Sequence, residues 1–177
     1  MIVVLNGAFG IGKTTVARLL VRTLPGAALF DPEPIGLVLR RLSSFIPLRG
    51  RGTDDFQDLP AWRSLTVRGA RLVRALRSTV VIPMAFDRLD HLDEIRTGIA
   101  AIDPNVRHFC LTAPLATVHQ RLRRRGAHAG DPRAAWMYRR TAECVAAHAA
   151  AAFAVHVPTE GRSAEEVAGL ILERLRE

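Results

Sequence analysis

The stretch Leu5-Asn6-Gly7-Ala8-Phe9-Gly10-Ile11-Gly12-Lys13-Thr14 decides the reading of this chain. It follows the apolar run Ile2-Val3-Val4-Leu5 and precedes a segment whose Val16, Leu19, Leu20 and Leu24 recur at helical spacing. Within it, Gly7 to Thr14 fits G-x-x-x-x-G-K-[ST], flanked by the strand and the helix that this pattern requires. Its glycines let the backbone turn so that successive N–H groups aim inward at phosphate oxygens, and the helix N-terminus adds partial positive charge. Lys13 is placed to reach the β- and γ-phosphates of a nucleoside triphosphate, and the Thr14 hydroxyl to ligate Mg²⁺. Residues Gly7, Ala8, Phe9, Gly10, Ile11, Gly12, Lys13, Thr14 and Thr15 form the expected nucleotide cradle.

Lys13 is the single lysine among 25 basic residues, the rest being arginine. A planar guanidinium fork does not enter a narrow phosphate cradle as a compact ammonium on a thin stem does. The lone lysine therefore marks a place where arginine will not serve.

Outward from the loop, short apolar runs alternate with helical patterns. Strands are expected at 27–30, 79–84, 106–111 and 152–157. Helices are expected at 13–24, 35–42, 61–77, 88–102, 114–125, 132–151 and 164–176. Asp131-Pro132 opens one helix as an N-cap with proline at the first position, and Ser163 with Glu166 caps the last as a box. On 61–77, Trp62, Leu65, Leu72, Val73 and Leu76 fall on one side and Arg63, Arg68, Arg71 and Arg74 on the other. Strands separated by helices predict one α/β domain over 1–177: five strands, mostly parallel, covered by helices on both faces.

In such sheets ligands sit at the carboxyl ends of the strands. Asp31, ending the second strand in Phe30-Asp31-Pro32-Glu33, is the expected acceptor-orienting or proton-accepting carboxylate, with Glu33 second. Asp87, several residues past the third strand, is read as a helix N-cap with a lesser claim to metal binding. Between Arg121 and Arg140 lie seven arginines and one acid, Asp131, out of a total net charge of +8. Such density suits a lid closing on a triphosphate; Arg121 is assigned to nucleotide binding, and Arg125 and Arg133 to transition-state charge. Residues 43–75 are the expected acceptor-binding region.

The strand-edge blocks Leu5 to Thr14, Phe30-Asp31-Pro32-Glu33, and Leu111-Thr112-Ala113-Pro114-Leu115 leading to Arg121–Gly126 resemble the small P-loop kinases of the nucleoside and nucleotide kinase superfamily. Within it they are most similar to tunicamycin-resistance ATP-binding proteins and more distantly to chloramphenicol phosphotransferases. The resemblance implies a three-layer P-loop NTPase fold with an Arg-rich lid. It also implies ATP, Mg²⁺ and phosphorylation of, or resistance to, a small hydroxylated compound; Asp31 matches the base of the phosphotransferases. The Asp-Gly-x-Pro stretch of nucleoside monophosphate kinases is absent after the third strand, which argues against that activity.

The expected function is ATP-dependent transfer of the γ-phosphoryl group to a small-molecule hydroxyl, an antibiotic or a nucleoside. ATP-dependent sequestration without chemistry is the alternative, and a nucleic-acid end kinase a third. One tyrosine and two tryptophans offer few stacking platforms, which disfavours nucleic acid. Cys110 and Cys144 have no metal or disulfide spacing and suit reduced core residues of a cytoplasmic protein. No apolar stretch reaches membrane-spanning length, and four acids against two arginines over 163–177 do not suit an anionic lipid surface. Oligomeric state is left open.

Overall fold

The computed structural model describes residues 1–43, 55–128 and 130–177, with the side chains of Arg40, Leu42, Ser43 and Arg133 outside that description. Five strands, β1 (Ile2–Gly7), β2 (Ala27–Leu29), β3 (Thr79–Pro83), β4 (Val106–Thr112) and β5 (Val155–Pro158), form one sheet in the order β2-β3-β1-β4-β5. Every pairing is parallel, so the expected mostly parallel sheet is parallel throughout. Among the described residues seven α-helices accompany the strands: α1 (Lys13–Thr23), α2 (Glu33–Ser43), α3 (Pro60–Leu76), α4 (Leu89–Ala100), α5 (Leu115–Arg124), α6 (Pro132–Ala147) and, after the last strand, α7 (Ala164–Arg176).

The central strand β1 is buried along its whole length because both faces are covered. Val3 and Leu5 join a core with Val16 and Leu20 of α1 and Val167 and Ile171 of α7. Ile2 and Val4 face the other way, onto Trp62 of α3 and Leu92, Ile95 and Ile99 of α4. The apolar run of β1 is thus divided residue by residue between two cores. The expected capping box is present: Ser163 Oγ accepts from the Glu166 amide and the Glu166 carboxylate accepts from the Ser163 amide.

Two local readings change in the fold. On α3 the inward stripe is Trp62, Arg63, Thr66 and Ala70, whereas Leu72 and Leu76 are 70% and 82% exposed. Two of the buried positions, Thr66 and Ala70, are small or polar, and the buried Arg63 is tolerated because Nε donates to Glu94 (2.6 Å) and Nη1 to the Gln57 carbonyl (2.9 Å). Ranking positions by side-chain hydrophobicity misses both effects. Alanine propensity likewise overextends α6 to 151. The helix ends at Ala147, a 3₁₀ turn covers Ala151–Phe153, and β5 begins only at Val155, after Ala154 at φ 101°. Register with β4, which starts at Phe109 opposite Val155, overrides helix propensity there.

Among the described residues, no helix is long and apolar enough to cross a membrane.

The sheet also carries an acid-sensitive contact. Arg96 Nε donates to His108 Nδ1 at 3.0 Å, which requires a neutral imidazole protonated on Nε2. Burial, aided by the Arg96 charge, pulls the His108 pKa from 6.5 down to about 3. The unfolded chain takes up this proton near its ordinary pKa while the native state resists it. Stability contributed by His108 is therefore full at neutral pH and is lost as pH falls toward 3, at roughly 1.4 kcal/mol per pH unit. Thermal denaturation at pH 7 and pH 5 tests this: the midpoint drops on acidification, and His108→Leu removes part of that drop.

Candidate active site

The turn from β1 into α1 builds the cradle. Gly10 stands at φ 79°, and a Cβ there would lie 2.7 Å from Leu122 Cδ2 of α5, so a side chain is excluded by conformation and by space. Gly12 caps α1 at φ 110° and ψ 5° with no side-chain hydrogen bond, which leaves the first amides of α1 facing outward. No carboxylate occupies the first turn of α1 to compete for them.

Lys13 opens α1 and is only 7% exposed. Its Nζ donates to the carbonyls of Gly7 (2.7 Å) and Ala8 (2.9 Å) and lies 5.5 Å from the centre of the Phe9 ring. Burial depresses its pKa; Glu33 opposes that shift and Arg125 adds to it. The ammonium is held inside the loop by the loop's own carbonyls.

A cavity of about 270 Å³ opens over this turn, lined by Phe9, Lys13, Thr14, Glu33, Arg125 and Met137 among others. A second, of about 200 Å³, adjoins it through Gly10, Gly12 and Arg125 and runs between Thr15, Arg121, Thr159 and Arg162. The smaller cavity is bounded by the cations Arg121 and Arg162, and the larger one reaches Glu33.

The predicted site residues take distinct positions. Arg121 is fixed to main chain, Nη1 donating to the Ile11 carbonyl (3.1 Å) and Nη2 to the Thr159 carbonyl (2.7 Å), so its guanidinium forms a wall of the smaller cavity. Arg125, at the end of α5, is exposed and lines both cavities. The Arg133 side chain lies outside the described residues, as do positions 44–54 of the expected acceptor region. Asp31 Oδ1 accepts the Glu33 amide at 3.0 Å and so starts α2, while Glu33 itself lines the cavity. Burial raises the Glu33 pKa; Lys13 pulls it down, and Asp31 and Asp55 push it up.

Distant contacts fix this corner. Trp62 Nε1 donates to the Pro32 carbonyl at 3.0 Å, pinning the entry to α2. Asn6 copies a strand partner: Oδ1 accepts from the Phe86 amide (2.9 Å) and Nδ2 donates to its carbonyl (3.0 Å). His148 Nε2 stands 2.6 Å from the same carbonyl.

Asp87 does not cap α4, whose N-cap is Arg88 without a side-chain bond. Instead Asp87 binds Arg140 through both oxygens, at 2.6 and 2.8 Å. Burial works against its ionised form, but the Arg140 hydrogen bonds and charge outweigh it and hold the pKa below the usual carboxylate range. Arg140 is thereby a structural clamp between α6 and the loop after β3. Trp136, edge-on to Phe9 at 5.4 Å, and Met137 bring α6 over the loop; no local signal in the sequence marks either.

The fold and the loop define a P-loop nucleotide-binding protein. A family model described as AAA domain matches residues 2–152, and the chain belongs to that family. The solved tunicamycin resistance protein of Deinococcus radiodurans is similar at 27% identity and TM-score 0.76, over 98% of this chain and 94% of that one. A gluconokinase from Sinorhizobium meliloti 1021 (18% identity, TM-score 0.67, 98% and 90% covered) shares the fold. So does a shikimate kinase from Aquifex aeolicus vf5 (16%, 0.61, 99% and 96%). No curated protein matches the chain by sequence.

Removing the ammonium tests the cradle. Lys13→Met eliminates charge-assisted bonds worth about 2–3 kcal/mol, so affinity for ATP with Mg²⁺ falls roughly a hundredfold in calorimetry while far-ultraviolet circular dichroism is retained.

Proposed function

We propose that the chain is an ATP-dependent phosphotransferase that moves the γ-phosphoryl group to a hydroxyl of a small molecule. The observation that carries this is the shared cavity in which Lys13, Thr14 and Arg125 face Glu33 across about 270 Å³. Phosphoryl transfer needs cations on the departing charge and a carboxylate at the acceptor, in one water-limited space.

The nucleoside base takes the smaller cavity against Arg121, and the phosphates follow the amides of Gly7 to Thr14. Incoming phosphate oxygens replace the Gly7 and Ala8 carbonyls as partners of Lys13 Nζ. Arg125, at the junction of the two cavities, faces the charge that develops on the transferring group. Mg²⁺ fits this donor set: it is held by one or two protein oxygens with phosphates and water, and Thr14 and Asp31 supply such oxygens. When bound, it offsets triphosphate charge. Among the described residues no group of three or more acidic, histidine or cysteine side chains forms a cage of its own.

Glu33 orients or deprotonates the acceptor hydroxyl, and its raised pKa improves its match to an alcohol as proton acceptor near neutral pH. Asp31 holds the first turn of α2 that presents Glu33. The similarity to a tunicamycin resistance protein supports a resistance role directed at a small molecule, and it favours this reading over nucleic-acid work.

ADP formation with a panel of hydroxylated antibiotics and nucleosides, followed by mass spectrometry of the product, tests the proposal. Glu33→Gln lowers turnover by about 10²–10⁴-fold while ATP still binds, and Asp31→Asn lowers it less. Product without mass gain, or Glu33→Gln at full turnover, overturns the assignment.

A further inference from the structure

A cavity of about 360 Å³ lies apart from the site described above, at the carboxyl ends of β4 and β5, on the side of the sheet away from β2. Leu111 and Pro114 from the end of β4, Val145 and Ala149 from the end of α6 and the turn after it, and Pro158 of β5 line it. It touches the glycine turn through Ala8 and Ile11. It shares Ile11 with the smaller nucleotide cavity and no residue with the larger.

A mostly apolar wall with a few polar groups is the make-up of a small-molecule site. Although 25 of the 177 residues are lysine or arginine, none of the described residues that line this cavity is either. Its buried polar group is His148, 2% exposed. His148 Nε2 lies 2.6 Å from the Phe86 carbonyl oxygen, which only accepts, so the ring proton sits on Nε2. Asn6 Nδ2, 3.1 Å from that nitrogen, donates to the same carbonyl. Burial lowers the His148 pKa, so the ring is neutral at pH 7 and supplies no positive charge. His156, also in the lining, turns Nε2 to the Ala150 carbonyl (3.3 Å). Glu160, exposed at the rim, accepts from Thr117 Oγ1 at 2.7 Å. The Arg121 charge bears on Glu160, but its guanidinium is committed to the Ile11 and Thr159 carbonyls. An anion entering this space loses hydration and meets no cation, whereas an ammonium group meets a carboxylate.

We propose that this cavity is a second ligand site, occupied alongside the nucleotide, for a small apolar ring compound that bears a protonated amine. The ring lies against Ile11, Leu111, Val145 and Pro158, and the ammonium reaches Glu160. A ligand there rests on two residues that shape the nucleotide cradle: Ala8, whose carbonyl holds Lys13, and Ile11, whose carbonyl holds Arg121. The site does not depend on the phosphotransferase reading.

The test is a titration of the whole ¹⁵N-labelled chain by nuclear magnetic resonance, with and without Mg²⁺ and a non-hydrolysable ATP analogue. The probes are tryptamine, indole and indole-3-acetate, one ring system carrying positive, no and negative charge. Tryptamine binds tightest and indole-3-acetate weakest, at least about tenfold apart, and added salt narrows the gap. The amide shifts centre on Ala113 and Ala149 and persist with the nucleotide bound. Glu160→Gln lowers tryptamine affinity to that of indole. Ala149→Phe, at an exposed position of the lining, weakens both at least about tenfold and leaves binding of the ATP analogue unchanged. No tryptamine binding, equal affinities, a preference for indole-3-acetate, or shifts centred elsewhere overturns the proposal. Displacement of tryptamine by the analogue overturns it too, by making the cavity an arm of the nucleotide site. A chain that takes up tryptamine but not the analogue overturns the phosphotransferase reading alone.

Discussion

An ammonium group held 2.7 and 2.9 Å from two backbone carbonyls inside a glycine turn is the constraint on which the rest of this structure depends. Lys13 is nearly buried, its charge is disfavoured there, and the Gly7 and Ala8 carbonyls compensate. A charge in that position stabilises the native state weakly and an anion strongly. The turn is therefore poised: its main-chain amides and one desolvated cation face a cavity, and phosphate oxygens satisfy both better than the loop satisfies itself. Gly10 and Gly12 make the turn possible, and Leu122 of α5 closes against the space that a side chain at Gly10 would fill.

Around that turn the protein is organised by contacts between distant segments at the carboxyl edge of the sheet. Asn6 binds the Phe86 peptide as a strand neighbour would, extending the order of β1 and β3 into their loops. Trp62 ties α3 to the start of α2, which sets the direction from which Glu33 enters the cavity. Arg140 joins α6 to the loop after β3, and Trp136 rests on Phe9, so the helix that follows the Arg-rich stretch forms a side of the site. The arginines between 121 and 140 have separate tasks: Arg121 braces main chain, Arg125 faces the cavities, and Arg140 neutralises carboxylates. Their shared density in sequence does not make them one device.

The chain shares its fold with a tunicamycin resistance protein along nearly its whole length, and likewise with a gluconokinase and a shikimate kinase. Within this chain Arg63 and Arg140 are both engaged by internal carboxylates, which commits these two guanidiniums to holding α3 and α6 in place.

The amino-acid sequence alone determined the strand–turn–helix at Gly7 to Thr14, the alternation that makes a parallel sheet, and the two-core burial of its central strand. Each is a local matter of periodicity, glycine conformation and a single lysine. It also marked Arg121, Arg125 and the Asp31–Glu33 corner, because strand ends are legible from apolar runs. Tertiary structure alone decided that Glu33 lines the cavity over the glycine turn, that Asp87 meets Arg140 rather than capping its own helix, and that α3 buries Thr66 and Ala70 while exposing Leu72. Those outcomes depend on which groups from distant segments arrive within a few ångströms, where hydrogen bonds and desolvation outweigh local propensity, and neither spacing nor composition encodes those distances.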